Sequence, residues 1–267
     1  MPSLSGRSAL ITGSTQGVGL AIASALFAAG ARVILHGLSE DEHAKQSLQR
    51  LQDQERRTTL ITGDLSSPMP EGPLRLAEEA IRQCPGIDTL VCNAGTFIDQ
   101  PFLEMDFTTF DRTMKLNVYS QHVLIQHFAR RWVELKIPGR ILLIGSINGR
   151  LSEPTHVAYD TSKGAIEAMV RSLCVTLAPW RIRVNGLAPG LFRTPLTEPG
   201  LRDVRIRRWM ELHTPNGQVP GPDACGGAAV FLLSDEAEHV HGQMLLVDGG
   251  MSAWQQPDPP PEWMPNG

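Results

Sequence analysis

The chain has 267 residues, 42% of them hydrophobic and 19% charged, with a formal net charge of −4. That length suits one large domain or two small ones, and the composition is that of a globular protein able to bury a core. The slight acidity weighs against nucleic acid or an anionic membrane as partner, because both need a basic surface. No run of about 18 apolar residues is present to span a bilayer, and the N-terminus lacks a secretory pattern. The four cysteines, Cys84, Cys92, Cys174 and Cys225, form no C-x-x-C pair. They read as reduced, mostly buried thiols of a cytosolic protein.

In chain order, short apolar runs alternate with longer segments of helical period. Ser8–Thr12 reads as a first strand, Gly17–Ala29 as a helix and Arg32–His36 as a second strand. Asp41–Arg56 follows as a polar helix, Thr58–Thr62 as strand, Leu74–Cys84 as helix and Ile87–Cys92 as strand. Helices fill much of Thr108–Leu135, and Arg140–Gly145 is the fifth strand. Tyr159–Leu177 is helix, Ile182–Leu187 strand, Pro222–Ser234 helix and Met244–Val247 a last strand. This alternation means βαβ units, so the expected fold is α/β: a doubly wound parallel sheet of about seven strands, the Rossmann arrangement, with helices on both faces. No linker breaks the pattern, so residues 1–254 read as one domain. Between the sixth strand and the last helix, Arg193–Gly217 mixes prolines with an amphipathic stretch, Leu201–Leu212. The tail, 255–267, holds five prolines in 13 residues and cannot be helical.

The first strand runs directly into Gly13-Ser14-Thr15-Gln16-Gly17-Val18-Gly19, where a helix starts. A strand–glycine loop–helix junction offers backbone N–H groups and a positive helix end to a pyrophosphate. The spacing is G-x-x-x-G-x-G, not the commoner G-x-G-x-x-G. Tyr159 and Lys163 stand at i and i+4 at the opening of the sixth strand's preceding helix, so phenol and ammonium share one face. An ammonium beside a phenol favours the phenolate and lowers its pKa, which makes Tyr159 a candidate general acid/base. The chain has only two tyrosines, so a chance Tyr-x-x-x-Lys is uncommon. The eight histidines show no H-x-x-x-H or H-E-x-x-H spacing, and no metal site is expected.

These motifs, in this order, resemble the short-chain dehydrogenase/reductase family over roughly residues 5–250. The resemblance implies hydride transfer between NAD or NADP and a secondary alcohol or ketone. Asp64 and Leu65 resemble the family's adenine contact. Asn93-Ala94-Gly95 resembles its sheet-steadying motif beside the adenine ribose, although Cys92 replaces a usual Asn. Pro189-Gly190, with Thr194, resembles the segment that holds the nicotinamide carboxamide. Ser146, thirteen residues before Tyr159, resembles the catalytic serine that holds the substrate oxygen. Asn117 resembles the helix asparagine whose backbone supports a water leading to Lys163. An asparagine inside a helix is a poor propensity choice, which also points to a local task.

Cofactor choice rests on the end of the second strand, His36-Gly37-Leu38-Ser39. Gly37 stands where the family's NAD-selecting aspartate falls, so nothing excludes NADP. Leu38 and Gln16 occupy places where NADP enzymes of the family carry Arg or Lys, and His36 and Ser39 are weak phosphate partners. The balance leans slightly to NAD.

The expected substrate wall contains Ser146, Asn148, His156 and Arg193, a polar lining that suits a sugar, polyol or hydroxy/keto acid. The resemblance extends to sugar and sugar-acid dehydrogenases and to 3-oxoacyl carrier-protein reductases, so a 3-oxoacyl-thioester reductase is the alternative. A catalytically idle dinucleotide-binding sensor or scaffold is the reading from another class; loss of Tyr159, Lys163 or Ser146 would mark it, and all three are present. The resemblance also implies a homotetramer, with Val170, Leu173, Leu177 and Met244–Val247 as expected contacts. Trp254, Trp263 and Met264 make the tail a candidate for docking.

Overall fold

The computed structural model describes residues 2–52 and 58–254. The proline-rich tail and the last residues of the expected second helix lie outside the described residues. The strands are β1 (Ser8–Ile11), β2 (Arg32–Gly37), β3 (Thr59–Thr62), β4 (Thr89–Cys92), β5 (Arg140–Ile144), β6 (Arg183–Pro189) and β7 (Met244–Val247). They form one seven-stranded sheet in the order β3-β2-β1-β4-β5-β6-β7, and every pairing is parallel. The order reverses between β1 and β4. That reversal opens a crevice outside the carboxyl ends of the strands, the place where doubly wound sheets bind ligands.

Period-two alternation sends neighbouring strand residues to opposite faces. In β1, Leu10 joins a core cluster with Leu124, Phe128, Trp132, Ile166 and Val170. These belong to α5 (Ser120–Leu135) and α6 (Val157–Leu177), and α3 (Glu71–Gln83) packs on the same side. Ala9 and Ile11 point the other way, to Ile22 and Leu26 of α1 (Gly17–Ala28) and to Val230 and Leu233 of α9 (Gly226–Leu233). The helices left over are α2 (Glu42–Arg50), α4 (Phe107–Met114), α7 (Glu198–Leu201) and α8 (Val204–Leu212). At the end of the sheet away from the crevice, Arg7 and Arg140 pair with Asp88 and Asp235. Among the described residues no helix is long and apolar enough to cross a membrane.

Several boundaries move for identifiable reasons. Helix α3 starts at Glu71 rather than Leu74, because Pro73 is tolerated in a first turn where its missing N–H has no partner to lose. Helix α6 begins at Val157, so Tyr159 lies within its first turn. The amphipathic stretch after β6 is two helices: Asp203 breaks it and accepts the Arg205 backbone N–H to cap α8. Two of the expected intersubunit contacts, Val170 and Leu177, are core residues, 0% and 9% exposed, and Leu173 packs against the same core.

Candidate active site

The glycine loop joins β1 to α1 and is knotted to the end of β4. The Thr12 hydroxyl oxygen accepts the backbone N–H groups of Asn93 and Ala94, each at 2.9 Å. The Asn93 side-chain amide donates to the carbonyls of Thr12 and Gly13, also at 2.9 Å. Gly19 makes this closeness possible, since a Cβ there would lie 2.3 Å from the Gly13 oxygen. Helix α1 starts with no side-chain cap and no acidic residue in its first turn, so its N–H groups and positive end are open to an anion.

The loop forms one side of a cleft of about 630 Å³ at the carboxyl ends of the strands. Every residue assigned above to the cofactor lines it except Ser14. Ser14 is fully buried, donating to the Ile11 carbonyl at 2.7 Å and accepting the His36 N–H at 3.0 Å. The His36 ring is also taken up by the protein. Its Nδ1 accepts the Gly13 N–H at 3.0 Å, which leaves Nε2 to donate to the Gly63 carbonyl at 3.1 Å. Burial lowers its pKa to about 4, so it is a neutral strut under the loop rather than a phosphate ligand. An uncapped helix end, a glycine-lined floor and Asp64 and Leu65 at the far wall suit the pyrophosphate and adenosine of a dinucleotide.

At the inner end of the cleft Ser146, Tyr159 and Lys163 converge with Pro189, Gly190 and Thr194. Strand β5 delivers Ser146, and the first two turns of α6 deliver the other two. Lys163 Nζ donates to the Ile144 carbonyl at 2.9 Å and lies 5.5 Å from the centre of the Tyr159 ring. It is 5% exposed, and burial lowers its pKa to about 8. The sequence led us to expect a phenol pKa lowered by this ammonium. Instead burial raises it, the Ser146 hydroxyl opposes that rise, and the charges of Asp160 and Glu153 reinforce it. Desolvation of the phenolate outweighs an ammonium that is itself desolvated and engaged elsewhere.

Asn117 sits in a π-helical turn, Lys115–Tyr119, between α4 and α5. Such turns are rare and recur at functional sites. It is fully buried, and its side chain accepts the Thr96 N–H at 2.8 Å and donates to the Thr96 carbonyl at 2.9 Å and Ser162 Oγ at 3.0 Å. It thus clamps the segment after Gly95 to α6 beneath the reacting groups.

Of the residues expected on the substrate wall, Ser146 lines the cleft, whereas Asn148, His156 and Arg193 do not. Asn148 Nδ2 donates to Asp160 at 2.9 Å. His156 packs edge-on against Phe97 with ring centres 4.6 Å apart. Arg193 is exposed, and its backbone N–H is bonded to the Pro220 carbonyl. The cleft is lined instead by Thr96, Arg112, Leu116, Phe192, Leu196 and Thr197. Arg112 and Leu116 are four residues apart ahead of Asn117, a helical spacing that places both on one face, and that spacing was the available signal for them. Among the described residues no cluster of three His, Cys, Asp or Glu could hold a metal ion.

A dinucleotide cleft at the switch point of a doubly wound sheet, ending in a Ser–Tyr–Lys cluster, defines a nicotinamide-dependent oxidoreductase. A family model described as "Enoyl-(Acyl carrier protein) reductase" matches residues 13–252. The chain is 34% identical over 246 residues to L-rhamnose 1-dehydrogenase (NADP(+)) of Thermoplasma acidophilum, covering 92% of this chain and 96% of that one. It is 34% identical over 250 residues to 5-keto-D-gluconate 5-reductase of Escherichia coli K12, covering 93% and 96%. The crystal structure of a gluconate 5-dehydrogenase from Burkholderia cenocepacia with NADP and tartrate superimposes with a TM-score of 0.88 at 32% identity, covering 95% and 98%. The chain belongs to the short-chain dehydrogenase/reductase family, and it is an NAD(P)-dependent enzyme acting on CH–OH groups.

Proposed function

We propose that this enzyme interconverts a hydroxyl and a carbonyl on a sugar or sugar acid, with Tyr159 as general acid/base. The observation that carries the reading is the convergence of Ser146, Tyr159 and Lys163 at the inner end of one dinucleotide-sized cleft. NAD(P) supplies the hydride acceptor or donor when bound. Ser146 holds the substrate oxygen by donating its hydroxyl hydrogen, and Tyr159 exchanges a proton with that same oxygen. Lys163 steadies the phenolate and binds the nicotinamide ribose, while Asn117 holds the local backbone in place. Gly13, Thr15, Gln16, Gly17, Val18 and Gly19 receive the pyrophosphate, with Asp64, Leu65, Asn93, Ala94 and Gly95 around the adenosine and Pro189, Gly190 and Thr194 around the carboxamide. The raised phenol pKa keeps Tyr159 protonated at neutral pH, which favours it as the acid of carbonyl reduction. Oxidation, which needs the phenolate, rises as pH increases toward that pKa. The hydroxyls of Ser146, Thr96, Thr194 and Thr197 along the cleft, together with the names of the relatives, support a polyhydroxylated substrate.

NAD is our reading of the preferred cofactor. At the end of β2 the cleft is lined by Gly37, Leu38, Ser39 and Asp41. The only charge in that set is negative, and it disfavours a 2′-phosphate. A Cβ at position 37 would lie 2.8 Å from Thr15 Cγ2, so a carboxylate side chain there would require Thr15 to shift. The relatives carrying NADP set the opposite expectation, and kcat/KM with each cofactor decides between them. A 3-oxoacyl-thioester reductase is the second reading, favoured by Leu196, an apolar residue 62% exposed on the cleft wall. We further read the enzyme as a cytoplasmic, single-domain homotetramer. The open edge of β7, where Leu245 is half-exposed, and the exposed Val175 on α6 support the assembly, and light scattering after size exclusion measures it. The activity test follows the reduced-nicotinamide absorbance with NAD and NADP against sugars, sugar acids, hydroxy acids and acyl ketones. Turnover on a sugar or sugar acid that vanishes in Tyr159→Phe is the expected result. Turnover only on acyl thioesters, or turnover that survives Tyr159→Phe, overturns the substrate or the mechanism respectively.

A further inference from the structure

We propose that Asp160 is a positioning residue for the reacting pair: it fixes the Asn148 amide against Ser146 and places a negative charge beside Tyr159. The inference rests on the acid/base role given to Tyr159 above. Asp160 is half-buried in the first turn of α6. One of its oxygens accepts Asn148 Nδ2 at 2.9 Å, and the other accepts the Glu153 backbone N–H at 3.1 Å. It therefore ties the segment after β5 to the start of the helix that carries Tyr159.

A carboxylate only accepts hydrogen bonds. The Asn148 amide must therefore turn its NH2 to Asp160 and its oxygen to Ser146, where the Oδ1–Oγ separation is 3.4 Å. The Asn148 backbone N–H also donates to Ser146 Oγ, at 3.1 Å. That bond occupies one of the two lone pairs of the serine oxygen. With the amide oxygen facing it, Ser146 keeps its second lone pair free to accept from the phenol. Its own hydrogen rests on Asn148 until a substrate oxygen or a phenolate claims it. If the amide turned over, its NH2 would fill that second lone pair, and Ser146 could no longer accept from Tyr159. Asp160 thus sets which way the proton chain can run without touching the substrate itself.

The charge acts alongside the geometry. Facing the phenol are Lys163 on α6, Asp160 beside it, Glu153 and His156 on the segment before α6, and Ser146 after β5. Phe97, which is uncharged, meets the ring edge-on at 5.2 Å. Asp160 and Glu153 are the two carboxylates that oppose phenolate formation. Removing either charge lets the phenolate form at lower pH.

The chain's only other tyrosine is Tyr119, so Tyr119→Phe leaves Tyr159 as the sole source of phenolate absorbance. In that background, spectroscopic titration of Asp160→Asn should show the phenolate forming roughly half a pH unit to one unit lower than with Asp160 intact. The acid limb of kcat for alcohol oxidation should move in the same direction. Asp160→Glu should restore both, because it keeps the charge. Asn148→Ala, which leaves the charge in place, should lower kcat by about tenfold with the phenolate titration unmoved, and it carries the test if Asp160→Asn does not fold. Superimposable titrations of Asp160→Asn and its parent overturn the inference, as does a full rate in Asn148→Ala. Activity persisting in Tyr159→Phe would instead overturn the acid/base reading on which it rests.

Discussion

His36 makes the sharpest physical prediction, because one buried ring holds the cofactor loop and titrates far from its ordinary range. Its Nδ1 accepts the Gly13 N–H and its Nε2 donates to the Gly63 carbonyl, an arrangement that only the neutral ring can make. Burial lowers its pKa from 6.5 to about 4. Between those values the unfolded chain binds a proton that the folded chain does not, so stability is intact above pH 6.5 and declines as pH falls toward 4. The gap of about 2.5 units corresponds to about 3 kcal/mol when complete, and roughly 2 kcal/mol of it is lost by pH 5. Urea unfolding at pH 8 and pH 5, on the native chain and on His36→Gln, measures this. The variant should be less stable at pH 8, yet lose about 2 kcal/mol less on acidification. Other groups, including His241, whose pKa burial also lowers, cancel in the difference. In the folded protein the ring stays neutral through most of that window, so cofactor affinity should fall only as pH approaches about 4, where protonation displaces the Gly13 contact. Parallel acid losses in the two proteins would refute the reasoning.

Leu38 is 72% exposed on the cleft wall at the end of β2. Leu38→Arg should raise the NADP-to-NAD ratio of kcat/KM by about 10- to 100-fold, the worth of one charge-assisted hydrogen bond; an unchanged ratio would place the 2′-position elsewhere. Gly19→Ala drives a Cβ to 2.3 Å from the Gly13 oxygen and 2.5 Å from Asn93 Nδ2. It should weaken cofactor binding at least about tenfold and lower the melting temperature, read by fluorescence titration and calorimetry. Asn117→Ala removes the partner of the part-buried Thr96 N–H and carbonyl and one of the two hydrogen bonds of the Ser162 hydroxyl. Denaturant unfolding should show a loss of about 2 kcal/mol.

The parts of this protein that were legible in its sequence are those that depend on spacing along the chain. Alternating apolar periods announced the parallel sheet, and the strand–glycine–helix junction announced the cleft. The interval from Tyr159 to Lys163 is a helical turn, so their shared face followed from the backbone alone. Boundaries moved by a turn or less, as where α3 starts at Glu71 rather than Leu74 and takes Pro73 into its first turn. The phenol pKa went the wrong way for a different reason. The sequence shows that Lys163 is near Tyr159, but not that both are buried, and burial decides the sign here.

Of the four expected substrate residues Ser146 lines the cleft and Asn148, His156 and Arg193 do not, for a local cause. Asn148, His156 and Arg193 lie on segments that border the site, so their chain positions were read correctly. Chain position does not specify their partners: Asn148 gives its NH2 to Asp160 and turns its oxygen to Ser146, His156 packs on Phe97, and Arg193 is exposed. A loop residue near a site can point into it, along it or away, and the choice rests on which neighbour offers the stronger contact. Asp160 settles that choice for Asn148 because a carboxylate holds an amide NH2 more firmly than a solvated substrate hydroxyl would. The same competition explains why Arg112 faces the cleft. No ion pair or hydrogen bond within the described protein claims its guanidinium, so it remains available at the cleft wall. Specificity in this enzyme is therefore to be sought among the cleft residues that have no internal partner, with Arg112 ahead of the three the sequence suggested.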